Sequence, residues 1–266
     1  MPHSGPIACA VAALGLSITL VSVQEEIAIG RQANAQARRQ LSQLRDPTTT
    51  RYVAELGRRL ARVAPGPKYP YSFVVTDYRE VNAFALPGGP VWINRGVLQI
   101  AGNESQVAGV LAHEIAHVAR RHAADQLTKT IVANWGLGLL SSILGNTGGA
   151  TTAQIAARLI AEGAFLKFSR DDERDADQVG LQILRRAGWD GRGMVELFEV
   201  LQRTSARNPG AVEAFFSTHP SPADRIQSLQ AGVAKRRGGR RDSSRFHDVQ
   251  RHIARLPPAR AMPNAR

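Results

Sequence analysis

The chain has 266 residues, 43% of them hydrophobic, a formal charge of +12 and a single cysteine, Cys9. That length and apolar content support one sizeable core, and they exclude a disordered chain, a collagen-like repeat and a small disulfide-stapled scaffold. The positive charge favours anionic neighbours, whether lipid, acidic protein or nucleic acid, without selecting among them.

At the amino end, Ile7 to Val23 is an uncharged, mostly apolar run that stops at Glu25 and Glu26. It has the length of a signal h-region and is marginal for a spanning helix, so residues 1–23 are expected to be an export signal or an N-terminal anchor. Cys9 is a candidate lipid-attachment site, although Pro6 stands where such a site prefers Leu. Helical patterning follows from Glu25 to Leu44 and from Pro47 to Val63.

From Pro70 to Leu98 the chain turns extended. The β-rich runs Tyr71 to Thr76 and Val91 to Asn94 are separated by Pro87, Gly88, Gly89 and Pro90, which is turn chemistry. These runs predict a small antiparallel sheet packed on the helix that follows. Its edge near Val91 would accept an extended polypeptide through backbone hydrogen bonds. Asn82 is a candidate for substrate or site support, and Phe84 reads as a core contact.

The stretch from Glu104 to Thr130 has no Pro and one Gly. Asn103 and Gln106 form a capping pair at its start, and Val107, Val110, Leu111 and Val118 supply an apolar stripe. Inside it, His113, Glu114, Ile115, Ala116 and His117 match H-E-x-x-H. On a helix, residues four apart lie about 40° apart around the axis and about 6 Å along it, so both imidazoles reach one metal ion. Glu114 stands beside them as a carboxylate able to deprotonate a metal-bound water. A hydrolytic zinc site also needs a third protein ligand. His122 is out of register for the longer motif that ends in a further histidine, and it reads as a surface residue beside Arg120 and Arg121.

The segment from Thr130 to Ala157 carries no charge and is broken by Gly136, Gly138, Gly145, Gly148 and Gly149. Such a segment suits a lid, a re-entrant loop or a membrane-dipping hairpin as well as a buried helix with a loop. Downstream, Glu173 and Asp177 share a helix face, so one carboxylate can bind metal while the other orients a ligand histidine. Asp171, Asp172 and Asp175 read as a solvated face. Helical pattern returns from Gly191 to Thr204. Ser221, Pro222 and Asp224 then open another helix just after His219. Beyond Val233, ten Lys and Arg residues face two Asp residues. Residues 233–266 are therefore expected to be a basic, flexible tail.

An H-E-x-x-H followed about sixty residues later by E-x-x-A-D-x-x-G resembles the HtpX-like, CAAX-prenyl-protease-like family of gluzincin zinc metallopeptidases. Asn82 to Gly89 resembles that family's N-A-F-A-x-P-G-G element, and Ser217 to Ile226 resembles its S-T-H-P-x-x-x-x-R-I element. The resemblance spans about Glu25 to Gln230. It implies one zinc ion held by His113, His117 and Glu173, with Glu114 as general base and Asp177 bonded to a ligand histidine. It also implies His219 as a site residue that either stabilises the oxyanion or visits the open zinc position, with Arg225 in support. The expected fold is α+β, a mainly helical zincin-like domain over residues 24–232 with the small sheet on the H-E-x-x-H helix.

The expected activity is zinc-dependent hydrolysis of peptide bonds in protein substrates, unfolded or damaged ones of the cell envelope, with contact to a membrane surface. The alternatives are a zinc-bearing holdase or scaffold with little proteolysis, and a basic binder with structural zinc. No module for specific nucleic-acid binding is present in the sequence.

Overall fold

The computed structural model describes residues 19, 21–135, 167–219, 223–234 and 238–263. Nearly all of the expected signal or anchor, with Cys9, lies outside the described residues, as do residues 136–157 of the uncharged segment.

Helix α1 (Val23–Gln40) begins at Ser22, whose hydroxyl accepts the Glu25 N–H while the Glu25 carboxylate accepts the Ser22 N–H. Helix α2 (Pro47–Ala61) is capped by Asp46 with Pro47 at its first position, where the missing N–H costs nothing. Three strands follow, β1 (Ser72–Thr76), β2 (Ala83–Ala85) and β3 (Pro90–Asn94), in the spatial order β1-β3-β2. Strand β2 pairs antiparallel with β3, but β1 pairs parallel with it, so the sheet is mixed and not antiparallel as expected. The cause is the connection. Residues 77–82 carry the chain past the place of β3, and the tight turn from Leu86 to Pro90 then returns it between its predecessors. Gly88 has φ 72°, and a Cβ there would lie 2.7 Å from the Glu26 carbonyl oxygen, so the turn requires glycine. Val91 consequently sits on the central strand, and the edge beside the next helix belongs to β2.

After α3 (Arg95–Ile100), helix α4 (Glu104–Ala119) runs through the middle of the molecule, with all of its residues buried. Asn103 caps it by accepting the Gln106 N–H. Helices α5 (His122–Trp135), α6 (Arg170–Arg186) and α7 (Arg192–Arg207) follow, then a short turn of 3-10 helix, α8 (Glu213–Thr218) and α9 (Ala223–Ala234). Helix α4 packs on α6, α7 and α2. Gly180 permits the approach of α6, since a Cβ there would stand 3.3 Å from the Ala112 carbonyl and 2.9 Å from the Met194 methyl. Among the described residues no helix is long and apolar enough to cross a membrane.

The expected free tail is largely folded. Residues 238–263 run back along the domain, with Arg240 bridged to Trp189 and Arg260 to Tyr78. Helix α10 (Ser244–Ile253) buries Phe246, Val249 and Ile253. Their spacing is a helical stripe that the surrounding arginines obscure. Several of those arginines are paired: Arg240 with Glu104, Arg241 with Glu196 and Arg245 with Glu55.

Candidate metal centre

Helix geometry puts His113 and His117 on one face of α4, with their Nε2 atoms 3.0 Å apart. Opposite them, α6 presents Glu173, whose carboxylate oxygens lie 3.4 Å from His113 Nε2 and 3.5 Å from His117 Nε2. His219, at the end of α8, turns its Nδ1 into the same space, 2.8 Å from Glu173 Oε1 and 3.4 Å from His113 Nε2. One donor atom from each of these four residues lies within 4.8 Å of all the others, and all four residues are buried. Three imidazole nitrogens and a carboxylate converging in a dry interior are poorly compensated by one another. They fit a tetrahedral N/O site for zinc. His219 thus sits inside the cluster rather than on a surface loop, with its ring stacked on Phe215 at 4.8 Å between centroids.

Glu114 is fully buried and lies outside the donor group. Neither of its carboxylate oxygens has a hydrogen-bond partner among the described residues, and one stands 3.4 Å from His219 Nε2. Burial pushes its pKa up, while nearby His219 and His113 pull it back. The backbone bonds Asn94 N–H to Asn82 O and Leu86 N–H to Pro90 O put the bonded pairs of β2 at alternate residues. Ala83 and Ala85 therefore point their backbone groups away from β3, toward α4.

Asp177, one turn on from Glu173, lies with Oδ1 3.1 Å from His113 Nδ1. Arg225 from α9 grips it with two bonds of 2.7 Å and also reaches Glu173 Oε2 at 2.5 Å. Burial opposes ionisation of Asp177, yet the bonds from Arg225 and His113 hold its pKa below the usual carboxylate range. For His113, burial favours the neutral ring, but Asp177 and Glu173 outweigh it and push the pKa up to about 9 in the metal-free protein. His117 goes the other way, well below its ordinary value, because burial dominates.

Two residues lie elsewhere than the sequence pattern predicts. His122 is buried, not on the surface, and its Nδ1 lies 3.0 Å from His117 Nδ1. Asp175, read as part of a solvated face, is half-buried and bonds both His122 and Arg120. The one sequence signal for His122 was the apolar set Ala123, Ala124 and Leu127, which buries the start of α5. Asn82 is buried just before β2, where its carbonyl accepts the Asn94 N–H.

A donor set of this kind on a mainly helical domain, with a carboxylate held between it and a strand edge, is that of a zincin-like metallopeptidase. Residues 47–233 match the model of Peptidase family M48, and the chain belongs to that family. It is 33% identical over 215 residues to the beta-barrel assembly-enhancing protease of Escherichia coli K12, covering 77% of this chain and 43% of that protein. It is 31% identical over 201 residues to the mitochondrial metalloendopeptidase OMA1 of Schizosaccharomyces pombe, covering 76% of this chain and 58% of the relative. Against the metalloprotease YcaL of Escherichia coli K12 the identity is 29% over 189 residues, covering 68% of this chain and 71% of the relative. The chain thus spans less than half the length of the first of these. It has the family and the site of zinc metallopeptidases, with a buried four-residue group able to hold one metal ion, zinc in this family.

Proposed function

We propose that the protein is an endopeptidase that cleaves unfolded or damaged polypeptides of the cell envelope, with Glu114 as its general base. The observation that carries this reading is the place of Glu114: fully buried, beside the four-residue cluster but outside it, with both carboxylate oxygens lacking a hydrogen-bond partner among the described residues. A structural site has no use for such a carboxylate. His113, His117 and Glu173 would hold the zinc, which supplies a Lewis acid that polarises the scissile carbonyl and acidifies water. Asp177 and Arg225 orient His113 and Glu173. The substrate backbone pairs with Ala83 and Ala85 along β2, a mode of recognition that makes little demand on sequence. Glu114 then takes a proton from the attacking water and returns it to the leaving amine.

His219, whose imidazole lies among the donors, would either close the site as a fourth ligand or turn toward the developing oxyanion. Support for an envelope role comes from the beta-barrel assembly-enhancing protease among the relatives and from a charge of +12, which suits an anionic lipid surface. The same four-donor closure favours a second reading, a zinc-bearing holdase or scaffold in which hydrolysis is incidental. Metal analysis combined with digestion of a denatured protein separates the two. An endopeptidase carries one zinc per chain, loses cleavage to a chelator and regains it with added zinc. If neither the parent nor His219→Ala cleaved the substrate while zinc was fully loaded, the scaffold reading would replace this one.

A further inference from the structure

We propose that His122 and Asp175 are positioning residues that fix the tautomer of His117 and so govern its hold on zinc. This rests on the reading of His113, His117 and Glu173 as the ligands. His117 turns Nε2 toward His113 and Glu173, so as a neutral ligand it keeps its proton on Nδ1. That N–H points at His122 Nδ1, 3.0 Å away. His122 must therefore accept at Nδ1 and carry its own proton on Nε2, which lies 3.1 Å from Asp175 Oδ2 and donates to it. Each proton in the chain Asp175, His122, His117 has one consistent position. It leaves the His117 lone pair directed at the metal position.

The backbone is bent to make this contact. Arg121 has φ 62°, the one positive φ of a non-glycine residue among the described residues, and it turns the chain between α4 and α5 so that His122 folds back over His117. The turn is held by the Arg121 guanidinium, which bonds Glu26 Oε2 at 3.0 Å and the Val21 carbonyl. Phe168 stacks on the His117 ring at 3.9 Å between centroids and fixes its plane. Rotation within that plane and the choice of tautomer are left to the hydrogen bond from His122. The two helix ligands are thus supported differently. His113 meets a carboxylate directly, whereas His117 meets one through a neutral imidazole.

The test is zinc affinity, measured by competition with a chromophoric chelator on the full chain. His122→Leu removes the acceptor and is expected to weaken zinc binding by about 10- to 100-fold, the usual effect of losing an outer partner of a ligand histidine. His122→Asn places an amide oxygen near the Nδ1 position, keeps the acceptor and is expected to restore most of the affinity. Asp175→Ala is expected to shift affinity in the same direction as His122→Leu, by less. His117→Ala is the control. If it kept zinc, the ligand reading itself would fail. If it lost zinc while His122→Leu bound like the parent, the tautomer role alone would be overturned. Equal losses in His122→Leu and His122→Asn would show that the acceptor is not what holds the affinity and would overturn the tautomer role. Should His122→Leu not fold, parental affinity in Asp175→Ala together with loss in His122→Asn would refute the proposal.

Discussion

Glu114→Gln isolates the base from the rest of the site. Glu114 contributes no atom to the cluster of His113, His117, Glu173 and His219, so the donor set is intact in the variant. Glutamine matches the volume of a side chain with no exposed surface. What is lost is the proton acceptor. General base catalysis contributes about 10²- to 10⁴-fold, which is about 3 to 5 kcal/mol of activation free energy. Zinc content measured by elemental analysis should therefore equal that of the parent, while turnover of a denatured protein falls by about two to four orders of magnitude. KM should change little, because the strand edge proposed to bind substrate is untouched. Turnover within a few-fold of the parent at full zinc loading would refute the role of Glu114. Loss of zinc would instead show that its carboxylate supports the metal.

Other parts of the molecule give independent tests. Glu173→Ala removes one of the donors and the carboxylate that Arg225 contacts, so zinc occupancy should fall along with activity, as read by metal analysis after dialysis. His219→Ala removes one of the four clustered donors, and if that imidazole blocks the site basal cleavage of small peptides should rise; a fall would mean that it serves the oxyanion instead. Phe246→Ala, in a helix beyond the matched residues, empties a fully buried site and should cost about 3 to 5 kcal/mol in denaturant unfolding; an unchanged midpoint would mean the carboxyl segment is not docked. Burial opposes ionisation of Asp46, but bonds from Thr49 and His252 hold its folded pKa below the usual value. Its stabilisation is therefore present above about pH 4 and lost as pH falls through the folded value. Asp46→Asn keeps the helix cap but not the charge. Its stability gap to the parent should narrow in acid; a gap independent of pH would show that the contact with His252 is not ionic.

The parts of the site legible in the sequence are those whose geometry is local. A helix forces residues four apart onto one face, so His113 and His117, and separately Glu173 and Asp177, declare their shared direction without any tertiary information. The caps at Asn103 and the turn through Gly88 and Gly89 are equally local, and each forms where its residues predict. Tertiary structure decided the rest. Whether β1 runs with or against β3 depends on how the chain between them crosses, which no alternation of side chains encodes. The fate of the basic carboxyl segment turned on whether Phe246, Val249 and Ile253 found a complementary surface, and charge counting could not reveal that surface. His122 reads as a surface residue and His219 as either of two site roles when each is taken alone. Packing sets one against His117 across the turn at Arg121 and the other against Glu173, 46 residues away in the chain. An imidazole can accept, donate or ligate. Which it does is set by whatever faces each of its two nitrogens, and only packing decides that.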